Sequence, residues 1–94
     1  MPSRQVIWAA RARFTLRFQL GDCCAICSST RNLEFDCIQP QGHAHHAAGV
    51  IHRTVFYRKQ HREGNLQLLC KRCHKKKSVA EHKQWLERQE NEPF

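Results

Sequence analysis

Two pairs of cysteines, Cys24-Ala25-Ile26-Cys27 and Cys70-Lys71-Arg72-Cys73, stand in a chain of 94 residues with positions 28–69 between them. Two intervening residues let a tight turn aim both thiolates at one ion, and two such turns complete a tetrahedral four-sulfur site. Whatever lies between the pairs must therefore bring the chain back to where it started. The spacing predicts Zn²⁺ held by Cys24, Cys27, Cys70 and Cys73. A site so filled is closed, and it folds a domain rather than catalyses. Cys23 could reach Cys27 through a longer turn, but the two-residue spacing favours Cys24 and leaves Cys23 a packed or free thiol. Core packing or a redox pair is the alternative use of such cysteines, and two pairs in one short chain argue against both.

A single domain of this length buries a smaller share of its surface than a larger protein, so a staple is expected. The opening "MPSRQVIWAARAR" lacks the apolar core of a signal peptide, which predicts a reducing, cytoplasmic setting where paired cysteines usually mean metal. No uninterrupted apolar run approaches the roughly 20 residues a bilayer needs, and no membrane partner is expected. Sixteen Lys and Arg against eight Asp and Glu give a net charge of +8 and a pI near 9.6. Four thiolates and one Zn²⁺ would lower this by about two, so the excess survives the metal. A polyanion is the implied partner. Nucleic acid fits better than an anionic membrane, because no stretch pairs a clean apolar face with a basic one.

Residues 1–21 carry Arg4, Arg11, Arg13 and Arg17 and no acid, and form a basic N-terminal arm or helix. Ile7, Ala10, Phe14 and Phe18 fit one helical face, while Phe14, Leu16, Phe18 and Leu20 also alternate as a strand would; helix is preferred. Residues 22–90 are expected to form the main domain. Within it, "NLEFDCI" reads as a strand with Leu33, Phe35 and Cys37 on one side and Glu34 and Asp36 on the other. "VIHRTVFYRKQHREG" reads as a helix, "LQLLC" as a second strand, and the stretch from Lys71 onward, free of Gly and Pro, as the longest helix. Residues 91–94 are expected to fray.

Three motifs then follow in order: "LEFD-x-I-x-P" from Leu33, "GNLQLLC" from Gly64 and "CHKKK" from Cys73. Over about residues 20–78 the chain resembles the HNH endonuclease family in its zinc-stapled form. The resemblance implies an α+β, ββα-metal fold of treble-clef-like character, a strand hairpin with a helix packed across it. It further implies that Asp36 and His74 bind one catalytic divalent ion (Mg²⁺, Mn²⁺, Ni²⁺ or Zn²⁺), that Asn65 positions the loop or the metal's surroundings, and that Cys37 occupies the position of the general base. A phage or mobile-element origin, and then a host-cell cytoplasm, belongs to the same resemblance.

Cys37 departs from the family pattern. A thiol with an ordinary pKa of about 8.5 is only a few per cent ionised at neutral pH, and strand alternation puts Cys37 on the core side. Imidazole titrates near the working pH, so the loop "GHAHH" is the expected source of the base: His46, then His45, with His43 too near the Pro40–Gly42 turn. His52, His61 and His82 lie in no motif. Lys71, Arg72, Lys75, Lys76 and Lys77 around the last cysteine, with Arg53 and Arg58 further back, are expected to contact DNA phosphates and read no bases. The expected activity is metal-dependent cleavage of double-stranded DNA, as an endonuclease or nickase of low sequence specificity, by a monomer or weak dimer. The alternative is an inactive zinc-stapled module that binds DNA or regulates another protein. An inhibitor of a nucleic-acid enzyme is a third class.

Overall fold

A computed structural model describes residues 1–42 and 44–91 of the chain. Ser3 opens the first helix, α1 (Arg4–Gln19), its hydroxyl accepting from the N–H of Val6 at 3.2 Å and so satisfying one of the donors a helix start leaves bare. Gly21 at φ +89° and Asp22 at φ +54° end it, a backbone reversal that the glycine makes inexpensive. The helix preferred from sequence is therefore the form adopted, but its buried line is different. Ala9 and Leu16 face inward, whereas Phe14 and Phe18 are 67% and 74% exposed. Small Ala9 permits close approach to a neighbouring helix, and Arg13 and Arg17 lay their guanidinium groups over the Phe35 ring, so part of the covering surface is supplied by arginine stems.

Strands β1 (Leu33–Cys37) and β2 (Leu66–Cys70) form an antiparallel pair in the register Leu33↔Cys70, Phe35↔Leu68 and Cys37↔Leu66. Between them the chain makes a short 3-10 turn (Ala44–His46) and helix α2 (Val50–Arg62). Helix α3 (Lys71–Asn91) starts directly from the last residue of β2, which places Cys70 at a strand end and Cys73 in the first helical turn. The first knuckle is tied back to the same strand, since Ala25 N–H donates to Leu68 C=O at 2.8 Å. Lys71 N–H likewise donates to Asn32 C=O at 3.0 Å, closing that end of the hairpin.

Alternation along the strands gives the hairpin two unlike faces. On one, Leu16, Phe35, Tyr57, Leu66 and Leu68 form the main apolar cluster beneath α1 and α2. On the other, α3 crosses above Glu34, Asp36 and Gln67. Cys24, Leu69, Cys70 and Cys73 form a second cluster at the end where α3 departs. This is the hairpin-plus-helix arrangement expected from the sequence, with α1 and α2 added behind it. The outer part of α3 stands clear of the rest, Val79, Trp85 and Leu86 all being exposed.

Candidate active site

The four sulfur atoms of Cys24, Cys27, Cys70 and Cys73 all lie within 4.8 Å of one another, and those of Cys27 and Cys70 are 3.6 Å apart. Tetrahedral Zn–S bonds of about 2.3 Å put sulfurs roughly 3.8 Å apart, so the donor set and its spacing fit one zinc ion. The knuckle backbone prepares the site. The N–H of Cys27, with others nearby, brings the Cys24 thiol down to about 6 despite its burial. The Cys70 thiol is also lowered, chiefly by the Cys73 N–H, while contact with the Cys70 sulfur and then burial push Cys73 up to about 12. The first protons leave easily, and a cation is needed to release the last. Cys23 lies beside this cluster, half-buried and outside the four.

Asp36 is turned toward α3 and is only 8% exposed. Its Oδ2 accepts from Gln67 Nε2 at 2.9 Å, and its Oδ1 lies 3.3 Å from Nε2 of His74, one helical position after Cys73. On the far side of that ring, Nδ1 meets Glu34 Oε1 at 3.1 Å. Glu34 and Asp36 are two apart on one strand, so both carboxylates reach the same imidazole. When Nδ1–H donates to Glu34, Nε2 presents its lone pair to the Asp36 oxygen. Two acceptors so placed call for a cation between them, a proton or a metal ion. A carboxylate behind a ligating histidine is the usual device for fixing tautomer and ring orientation.

Lys77, one turn beyond His74, completes the cluster. Its ammonium lies 3.2 Å from Asp36 Oδ2, donates to the C=O of Cys37 at 3.0 Å and pairs with Glu81 at i+4. Burial alone would lower its pKa; the bonds to Glu81 and Asp36 outweigh that and raise it. Lys77 therefore differs from Lys71, Arg72, Lys75 and Lys76, which are exposed along the start of α3 as the sequence suggested. Arg72, Lys76 and Lys77 border an open groove beside Cys27.

Asn65 does more than turn the chain after Gly64. Its Oδ1 accepts from Gln39 N–H at 2.7 Å, and its Nδ2 donates to Gln39 C=O at 3.1 Å and to Gln60 Oε1 at 2.7 Å. It thus pins the segment leaving β1 to the end of α2. Cys37 is buried on the face away from Asp36, and burial, then the Asp36 charge, raises its thiol pKa. His45 is half-buried with its ring stacked on Phe56 at 4.3 Å, and the exposed His46 lies 3.9 Å from it, ring to ring. His43 lies outside the described residues, as does the 92–94 part of the tail expected to fray. Arg58 is exposed over the Trp8 ring at 5.5 Å, and Arg53 is half-buried.

Sequence reasoning brought together Asp36, His74 and the four cysteines, and the structure brings the same residues together. It missed Glu34, Gln67, Lys77 and Glu81 as members of the cluster. Strand alternation already put Glu34 beside Asp36, and His74, Lys77 and Glu81 share one face of a helix at 3.6 residues per turn.

A thiolate-stapled hairpin with a carboxylate–imidazole pair beneath a crossing helix defines a ββα-metal module. Residues 24–79 match the family model described as HNH endonuclease, and the chain belongs to that family. No curated protein and no solved structure matches it. Membership assigns a nuclease or nucleic-acid-related role, and the fold agrees with it. Among the described residues no helix is long and apolar enough to cross a membrane.

Proposed function

We propose that the protein is a metal-dependent DNA endonuclease or nickase that hydrolyses phosphodiester bonds with low sequence specificity. The observation that carries this reading is the 3.3 Å approach of Asp36 Oδ1 to His74 Nε2, with Glu34 behind the ring. Ligands bonded at about 2.1 Å and set at tetrahedral or octahedral angles stand roughly 3.0–3.4 Å apart, so the pair fits one divalent ion and leaves its other positions for phosphate and water. Mg²⁺, Mn²⁺, Ni²⁺ or Zn²⁺ bound there supplies charge stabilisation for the phosphoryl oxygens and the departing 3′ oxygen. Structural Zn²⁺ belongs in the tetrathiolate cluster.

The chain's own residues divide the remaining work. Asp36 and His74 hold position through Gln67 and Glu34. A histidine of the loop, His46 or its stacked neighbour His45, takes the proton of the attacking water as the bond from phosphorus to the 3′ oxygen breaks. Cys37 is the weaker candidate, since burial holds its proton. Asn65 fixes the start of that loop. Lys71, Arg72, Lys75 and Lys76 lie beside the cluster to hold flanking phosphates, and Arg53 and Arg58 add backbone contacts from α2; none of these reads a base. One such site per chain cuts one strand, so a monomer nicks and a weak dimer is needed for a double-strand break.

Two observations favour a second reading, a binding or regulatory module without cleavage: Lys77 engages the Asp36 carboxylate, and a buried thiol stands at the family's base position. Supercoiled plasmid incubated with each of the four metals, beside EDTA and His74→Ala lanes, decides between them. The nuclease reading expects metal-dependent nicking that His74→Ala abolishes. No nicking with any metal would establish the module instead, and nicking that survives His74→Ala would displace the site. Full activity in both His45→Ala and His46→Ala, with none in Cys37→Ala, would move the base to the thiol.

A further inference from the structure

The hairpin face opposite Asp36 carries charge of a different kind. Neither α1 nor α2 contains an Asp or Glu, while together they hold Arg4, Arg11, Arg13, Arg17, Arg53, Arg58, Lys59 and Arg62. Two of these converge on one ring, and Arg53 lies near enough to Arg13 to bear on its charge. The Cζ atoms of Arg13 and Arg17 lie 5.6 and 5.8 Å from the Phe35 ring centroid, and Phe35 in turn packs on Tyr57 at 4.9 Å. The Nε atoms of Arg13 on α1 and Arg53 on α2 are both sealed from solvent and lack a hydrogen-bond partner among the described residues. No carboxylate comes within ion-pair distance of any of the three among those residues.

Such an arrangement runs against the usual rule. Buried polar groups are paired, and half-buried like charges repel. Burial first, then Arg53 and Arg17, lower the pKa of Arg13, with Tyr57 acting the other way. What the cluster lacks is an anion with several oxygens in reach of guanidinium forks, and the aromatic floor already holds two of the forks in place.

The geometry points to a phosphate-binding site formed by Arg13, Arg17 and Arg53, which takes a backbone phosphate of nucleic acid on the face of the hairpin away from the Asp36–His74 pair. A nucleic acid is favoured over a small free anion because the surrounding helices continue the positive surface through Arg11, Arg58, Lys59 and Arg62, giving successive phosphates further partners. The assignment rests on the nucleic-acid reading above but not on cleavage. It separates holding from cutting: this site adds affinity and stays away from the reacting phosphorus.

The test uses the full zinc-loaded chain with no second divalent metal and a fluorescein-labelled 20-bp duplex, read by anisotropy across a salt series. The double variant Arg13→Gln/Arg53→Gln is expected to bind about tenfold more weakly near 0.1 M salt, with the slope of log K against log salt reduced by about one per lost contact. Because the substitution relieves repulsion, the thermal midpoint is expected to hold or rise, whereas a merely structural role would lower it. Arg17→Gln gives the same reading should the double variant fail to fold, and Arg17→Lys is expected to restore only part of the affinity. Unchanged affinity and slope in these variants would overturn the site. Inorganic phosphate, titrated alone, separates the sources: phosphate binding lost in the variants while duplex binding is unaffected would make this a small-anion site and overturn the nucleic-acid assignment. Duplex binding here, together with no nicking of supercoiled plasmid by any of the four metals, would defeat the nuclease reading and leave this site standing; metal-dependent plasmid nicking with variants that bind the duplex like the parent would do the reverse.

Discussion

The two faces of the hairpin are built on opposite terms. Under α3, Glu34, Asp36, Gln67, His74, Lys77 and Glu81 form one network in which cations and carboxylates answer each other. Under α1 and α2, Leu16, Phe35, Tyr57, Leu66 and Leu68 make an apolar cluster, and among the described residues no carboxylate pairs with Arg13, Arg17 or Arg53 around it. Buried ionic networks seldom stabilise more than well-packed apolar groups of the same volume. Folding is therefore carried by the apolar face and by the four sulfurs at the hairpin end, and the α3 face is free to hold polar groups in a geometry suited to a metal ion.

The largest expected effect strikes the shared support. Structural zinc sites contribute an apparent 10 kcal/mol or more at pH 7, above the whole stability of most small domains. Cys70→Ser, or chelation of the metal, is accordingly expected to abolish the cooperative thermal transition by circular dichroism, while Cys23→Ser leaves it in place. Loss of the transition in Cys23→Ser but not in Cys70→Ser would reassign the fourth ligand.

Next comes the apolar face. Leu68 is 1% exposed, and Leu68→Ala is expected to cost about 3 kcal/mol in denaturant titration through lost transfer energy and a cavity. On the ionic face, Lys77→Met leaves Asp36 without its cation and is expected to cost less, about 2 kcal/mol near neutral pH, because Gln67 still donates to the carboxylate. This second change carries a pH signature. The pKa of Lys77 is raised above its ordinary 10.5, so its contribution is complete below that value and fades as pH climbs through the higher folded one. Stability of the parent should fall along that alkaline limb, and Lys77→Met should flatten it. A loss in Lys77→Met exceeding that in Leu68→Ala would invert the comparison between the faces.

The smallest effect is expected at the loop. Asn65→Ala removes three hydrogen bonds, but Gln39 and Gln60 can turn partly to water, so about 1–2 kcal/mol is lost. Nicking is expected to fall further than stability does, because the segment bearing His45 and His46 is no longer pinned. Equal, minor effects on both would reduce Asn65 to a turn residue.

How much of this was legible depended on how local the signal was. The knuckles announce themselves because two-residue spacing has a geometric meaning, and the two strands because Leu33, Phe35 and Cys37 alternate with acids. Asp36 and His74 stand far apart in the chain, and only the order of motifs joined them. The inward line of α1 is not the one apolarity suggests: Phe14 and Phe18 are the more apolar residues, yet Ala9 and Leu16 are buried, since close helix approach needs a small residue and arginine stems cover Phe35. Lys77 reads from sequence as one more phosphate contact, because sequence shows a charge and not the carboxylates it meets. The convergence of Arg13, Arg17 and Arg53 was hidden for the same reason: it arises from the packing of α1 on α2.

The proposed sharing of one divalent ion by Asp36 and His74 can be seen in a crystal. Crystals grown with Mn²⁺ and measured near the manganese absorption edge test it directly. One anomalous peak is expected about 2.1–2.3 Å from both Asp36 Oδ1 and His74 Nε2, with Lys77 displaced from the Asp36 carboxylate, and none in His74→Ala. Manganese bound elsewhere, or His74 and Asp36 still joined directly to each other at saturating Mn²⁺, would contradict it.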